Sequence, residues 1–161
     1  MYLREQTEGD LERLYEIYSS EKITRYMEGL CDDRQEELEI IKAYIENMYH
    51  FYGYGIWLIC LKENDEIVGR AGLSNRMVDG ENKLELGYVI DERYQHMGYA
   101  LEACMAVCEF AKEQLYAEEL VCLIEKENIP SVSLAEKLGF DYVTDICVTK
   151  EKIFVYYKKV L

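Results

Sequence analysis

The chain has 161 residues, half of them apolar and 31% charged, a composition that suits one globular domain and excludes a disordered or low-complexity polymer. Thirty-two acidic against eighteen basic side chains leave a formal charge of −14; this excludes nucleic acid and anionic membranes as expected partners and favours a cationic one. The apolar runs, such as residues 56–61, fall far short of the roughly 18 residues that a membrane span needs, the first ten residues carry no apolar signal region, and the expected address is the cytoplasm.

Residues 2–5 read as a first strand. Thr7 and Asp10, three apart, start a helix in the manner of a capping box, and Leu11, Leu14, Tyr15 and Tyr18 follow at helical spacing. A second helix opens at Asp33, with Glu36 three residues on and the stripe Leu38, Ile41, Ile45 and Met48. Residues 55–61 are too short and too apolar for an exposed helix and form a buried strand. Asn64 and Asp65 supply turn chemistry before a partner strand at 67–73. In the strand at 82–90, Leu84, Leu86, Tyr88 and Ile90 alternate with Glu85, Gly87 and Val89, and a glycine within such a strand marks a bulge or a close backbone approach.

A long helix covers 98–115, with Leu101, Met105, Cys108 and Leu115 expected on its buried face, and a strand follows at 120–124. Asn128 caps a further helix with Pro130 in its first turn; that helix carries Leu134 and Leu138 and stops at Gly139, with Phe140 placed for the contact of a glycine C-cap. Strands at 142–148 and 153–160 end the chain. The order β-α-α-β-β-β-α-β-α-β-β predicts an α+β fold on a mixed, mostly antiparallel sheet of six to seven strands with about four helices. Three consecutive strands make an antiparallel meander, and 84–124 makes one right-handed parallel crossover. One domain over 1–161 is expected.

The chemistry centres on Gln95-His96-Met97-Gly98-Tyr99-Ala100, between the 82–90 strand and the long helix. A glycine at a helix mouth lets backbone approach a ligand closely. The unpaired first-turn amides point outward, and the helix dipole favours an anion there. Neither the GxxxxGK[ST] of a nucleotide P-loop nor the GxGxxG of a dinucleotide fold is present.

Gln-x-x-Gly-x-Ala, preceded by Leu84-Glu-Leu-Gly-Tyr-Val-Ile-Asp91, resembles the acetyl-CoA pyrophosphate loop of the GNAT acetyltransferases. Asn128-Ile-Pro-Ser131 and Glu136-Lys-Leu-Gly-Phe140 resemble the second part of that family's signature at the family's separation. Within the family, the Glu-x-Gly-Tyr strand and the Asn-x-x-Ser helix start resemble the branch that includes ribosomal-protein alanine N-acetyltransferases. The resemblance implies an N-acetyltransferase with acetyl-CoA as co-substrate and no metal. The backbone of Tyr88, Val89 and Ile90 would pair with the pantetheine. The amides of Met97, Gly98, Tyr99 and Ala100 would hold the pyrophosphate, with Gln95 at the loop entrance, and Asn128 and Ser131 would flank the arm between splayed strands. The acceptor is a primary amine, either a protein N-terminus or a small cationic amine, attacking directly. A homodimer is left open.

Such a reaction needs a neutral amine, so a base must remove its proton. Glu85 matches a glutamate that several family members carry on this strand and is the candidate base. Many members place a tyrosine acid seven residues after the asparagine; that position is Ala135 here, and Ser131 is the substitute candidate. The missing tyrosine supports an alternative, a non-catalytic acyl-CoA-binding module of the same fold. Other residues fit blander roles. His50 and His96 are too few for a zinc site, and the six cysteines behave as small buried hydrophobes. Tyr49, Tyr52 and Tyr54 lie where this fold forms its acceptor groove. Asp32, Asp33, Glu36, Glu37 and Glu39 favour a solvated helix start.

Overall fold

The computed structural model describes residues 1–147 and 153–161. Among them run β1 (Tyr2–Arg4), α1 (Leu11–Tyr18), α2 (Glu21–Thr24), α3 (Arg34–Tyr44), β2 (Ile56–Cys60), β3 (Ile67–Val78), β4 (Glu81–Ile90), α4 (Tyr99–Gln114), β5 (Glu119–Glu125), α5 (Ile129–Lys137), β6 (Asp141–Cys147) and β7 (Ile153–Val160). The strands are ordered β1-β2-β3-β4-β5-β7-β6. β4 and β5 pair in parallel, whereas β1 with β2, β2 with β3, β5 with β7 and β6 with β7 are antiparallel. This is the mixed α+β sheet expected from the sequence. Val148, the expected last residue of the sixth strand, lies outside the described residues.

The chain divides into two compact units, Met1–Gly72 with Tyr88–Ala103 and Leu73–Gly87 with Cys104–Leu161; β3, β4 and α4 run from one into the other. In the first unit, Leu11, Leu14 and Ile17 of α1 pack with Ile23, Ile41, Leu58, Cys60, Ile67 and Val89. Arg4 meets both Asp10 oxygens, at 2.6 and 2.8 Å, and Asp10 accepts from the Thr7 N–H at 2.8 Å, so the end of β1 is tied to the start of α1. Asp33 caps α3 by accepting from Gln35 N and Glu36 N, at 2.8 and 3.2 Å.

Past Tyr44 the helix widens to a π-helical segment, Ile45–His50. A wider turn swings side chains five apart toward a common side, and Tyr44 and Tyr49 both reach Ile56. The Tyr44 hydroxyl accepts from the Ile56 N–H and the Tyr49 hydroxyl donates to the Ile56 carbonyl, each at 2.6 Å. The segment thereby fixes where β2 begins.

In the second unit β5 pairs with β7 from Glu119↔Val160 to Glu125↔Phe154. α5 ends as its sequence predicts. The Gly139 N–H donates to Glu136 O and the Phe140 N–H to Ala135 O, both at 3.0 Å, with Phe140 buried beneath. Two expectations change. α4 buries Ala103, Cys104, Val107, Cys108 and Ala111, while Met105 is exposed and Leu101 and Leu115 are half-buried. A row of small side chains lets a helix axis sit close to its neighbours, so the small residues win the inner face over the larger ones. β3 also runs on to Val78 instead of stopping at 73, and turns at Asp79-Gly80. Both turn residues have positive φ, 51° and 82°, as a two-residue hairpin of the I′ type requires.

Candidate active site

The expected cofactor loop lies in the first unit. Its geometry is set from both ends. At the β4 end, the Asp91 N–H donates to Val68 O at 2.9 Å. The buried Asp91 carboxylate accepts from Arg93 N at 2.9 Å, from the Arg93 side chain at 2.8 Å, and from Arg13 of α1. Arg13 also holds Ile67 O, at 2.7 and 3.0 Å, so one guanidinium clamps the start of β3 and the end of β4 together. Gln95 folds back, its Nε2 donating to Ile90 O at 3.1 Å. It thereby braces the loop at whose entrance it was expected. His96 and Gly98 then adopt positive φ, 62° and 89°, before α4 begins at Tyr99.

A side chain built on Gly98 would meet nothing within 4 Å. The space beside Gly98 is therefore open, at the N-terminus of α4, where the first-turn amides of a helix have no intrahelical partner. A helix N-terminus reached through a glycine in this conformation suits an anion. Val89 and Ile90 are buried, and Tyr88 is half-buried.

Burial alone would raise the Asp91 carboxyl, but the hydrogen bonds from Arg93 and Arg13 outweigh it and hold it well below the ordinary carboxylate range. A carboxyl depressed in the folded state contributes stability that is present above its unfolded value, about 4, and is lost as pH falls through the lower folded value. Asp91→Asn is expected to cost about 3 kcal/mol at neutral pH, roughly 10 °C in Tm. The gap between wild type and variant should close as pH drops below about 4. A gap that stays constant through the acid titration would show that the charge of Asp91 is not what stabilises the loop.

Glu85 lies on the part of β4 that belongs to the second unit, and it is 8% exposed. Its register partner in the parallel β4–β5 pair is Val121. The carboxylate accepts from Arg76 Nε at 3.0 Å and lies 3.5 Å from the Ser74 hydroxyl. Sequence reasoning missed both partners. Asp79-Gly80 was the available signal: a two-residue hairpin sets Val78 opposite Glu81, and counting back along both strands sets Ser74 opposite Glu85.

Asn128 caps α5 by accepting from Ser131 N at 3.3 Å, which leaves its amide nitrogen to donate elsewhere. Ser131 is half-buried, and Ala135 is 1% exposed, packed in the core of its unit. Tyr49 is buried, its hydroxyl donating to Ile56 O and accepting from Gln6 N, while Tyr52 is exposed with its ring tilted against Tyr54 at 5.6 Å. Glu37 is buried and accepts from Cys31 N at 2.8 Å. His96 is exposed, and His50 sits 3.2 Å from Glu46. Burial pushes the thiols of Cys60, Cys104, Cys108 and Cys122 up. Among the described residues no group of three or more His, Cys, Asp or Glu is placed to hold a metal ion, and no helix is long and apolar enough to cross a membrane.

Residues 1–141 match the family model described as an acetyltransferase (GNAT) domain, and the chain belongs to that family. It is an acetyl-CoA-dependent acetyltransferase, which sets aside the non-catalytic alternative. Its relatives include the uncharacterized N-acetyltransferase YnaD of Bacillus subtilis, 26% identical over 140 residues, covering 86% of this chain and 78% of the relative. Among solved structures, an acetyltransferase from Agrobacterium tumefaciens superposes with a TM-score of 0.80 at 24% identity, covering 99% of this chain and 90% of the other. A ribosomal-protein-alanine N-acetyltransferase from Brucella melitensis gives 0.77 at 22%, with both chains covered in full (100% each). YncA from Salmonella typhimurium, solved with its cofactor acetyl-CoA, gives 0.73 at 19%, covering 100% and 94%. At these identities the structural likenesses speak for the fold.

Proposed function

We propose that residues 1–161 act as a single N-acetyltransferase domain that acetylates a primary amine on a cationic acceptor, with Glu85 as general base. The observation that carries the reading is a buried carboxylate on β4, three residues before the Tyr88–Ile90 backbone assigned to the pantetheine. Acetyl-CoA brings the acetyl group as a thioester. The chain's own residues must do the rest. A protonated amine cannot attack, and Glu85, fixed by its strand and shielded from bulk water, can take the ammonium's proton directly or through one water. Backbone amides of β4 can stabilise the developing oxyanion. Ala135 has no proton to give, which leaves the Ser131 hydroxyl or solvent to protonate the departing thiolate. Asn128 supports the reading as a donor toward the pantetheine amides, and the open mouth of α4 supports it as the pyrophosphate cradle.

The excess of acids supports a cationic acceptor, since the summed field concentrates cations near the surface. Thiol release from acetyl-CoA is the test, run against polyamines, aminoglycosides, free amino acids and peptide N-termini. Acceptors with several positive charges should turn over fastest. Added salt should raise their KM far more than the KM of acetyl-CoA, because screening acts on the steered partner. Preference for an uncharged or anionic acceptor, or equal salt sensitivity of both KM values, would reject the cationic assignment.

A further inference from the structure

We propose that Arg76 is the specificity-determining residue for the acceptor: its guanidinium occupies, at Glu85, the position that a cationic group of the acceptor takes over. The inference rests on the reading of Glu85 as part of the acceptor site, and the asymmetry of the pair carries it. The Glu85 side chain is 11% exposed and the Arg76 side chain 53%. A buried carboxylate left without a donor costs its full desolvation penalty, so Glu85 needs a cation or a hydrogen-bond donor at all times. An arginine that is half in water loses little by returning to it, since exposed ion pairs are worth at most about 1 kcal/mol. The carboxylate is therefore the fixed half of the pair and the guanidinium the exchangeable one.

The surroundings loosen Arg76 further. Counting from the Asp79-Gly80 turn places Lys83 directly opposite it on β4, and like charges across a strand pair repel. Lys83 is itself occupied, with Glu81 at 2.7 Å and Glu119 at 3.0 Å, and it does not compete for Glu85. Arg76 is itself exposed, so the side chain has room to swing outward. What replaces it must donate hydrogen bonds, and a group that also brings positive charge competes best. An ammonium does both; a hydroxyl only donates, and a carboxylate does neither. Arg76 Nε and the Ser74 hydroxyl both meet Glu85 Oε2, and an acceptor whose cationic group displaces Arg76 there is held with its amine beside the carboxylate.

Two measurements test the exchange without relying on turnover. In nitrogen-15 spectra of the wild type, the Arg76 Nε–H signal should move on titration with spermidine at constant ionic strength, and should not move with a neutral polyol of similar length. By calorimetry, Arg76→Gln should bind spermidine about two- to fivefold more tightly, the factor that a surface ion pair is worth. Arg76→Lys, which keeps the competing charge, should bind it like the wild type. An Arg76 signal that stays put while spermidine binds would overturn the proposal, as would weaker binding by Arg76→Gln. These results are separable from the role of Glu85 in catalysis. If Glu85→Gln keeps its turnover, the general-base reading fails, yet the exchange at the carboxylate is still scored by the same shift and the same affinities.

Discussion

Gly98→Glu should fold and yet show no rise in melting temperature with acetyl-CoA. The position tolerates a side chain sterically, because a Cβ there meets nothing within 4 Å. The cost is conformational: φ is +89°, and an L-residue held in that region costs about 1–3 kcal/mol. Part of that is returned, since a carboxylate at a helix N-terminus gains about 0.3–1 kcal/mol from the dipole. The same carboxylate then sits on the first-turn amides of α4 and denies them to a pyrophosphate. Wild-type protein at acetyl-CoA one hundred times Kd should be stabilised by about 2.7 kcal/mol, and the variant not at all. Gly98→Ala supplies the control, with the strain but without the anion, and should keep most of the ligand-induced shift. Wild-type affinity in Gly98→Glu would move the pyrophosphate away from the α4 mouth.

Glu85→Gln should lower kcat/KM by about 10²–10⁴-fold while acetyl-CoA affinity is retained. The amide preserves the shape of the side chain and still offers an oxygen to the Arg76 Nε–H, so the fold should survive. It cannot accept a proton from an ammonium. Raising the pH should restore part of the rate, because a growing share of the acceptor is then already neutral. Turnover close to wild type at neutral pH would make Glu85 a structural residue of β4 and route the proton through solvent.

Most of the element order was legible because hydrophobic periodicity and cap chemistry agree along the chain. The α5 signals, from Asn128 through Pro130 to Gly139, are each local, and each is realised. α2 escaped because four residues carry no period to detect. The inner face of α4 was legible only in part: Cys108 is buried as expected, while Met105 is exposed and Leu101 and Leu115 are half-buried. Where neighbouring elements approach closely, small side chains take that face, and only the packed structure shows how closely they approach. The glycine turn ahead of α4 could be read because it is contiguous in sequence. The partners of Glu85 and Asp91 could not, since they depend on strand register and on where α1 docks. Arg76 is nine residues from Glu85 and Arg13 is seventy-eight from Asp91. The first was recoverable from the hairpin dipeptide; the second had no local signal at all.

The distribution of cysteines gives the molecule an internal clock. Cys60 lies in one compact unit and Cys104, Cys108 and Cys122 in the other, all buried, while Cys31 alone among the five described thiols is half-exposed. Only a thiolate reacts with an alkylating agent, and burial disfavours the thiolate at the four inner sites. In native conditions those four are labelled only when the surrounding structure opens, so their individual alkylation rates report the opening free energy of each unit separately. A ligand that orders the α4 mouth should slow labelling at Cys60 if its binding energy is confined to that unit, and should slow all four sites together if both units open as one.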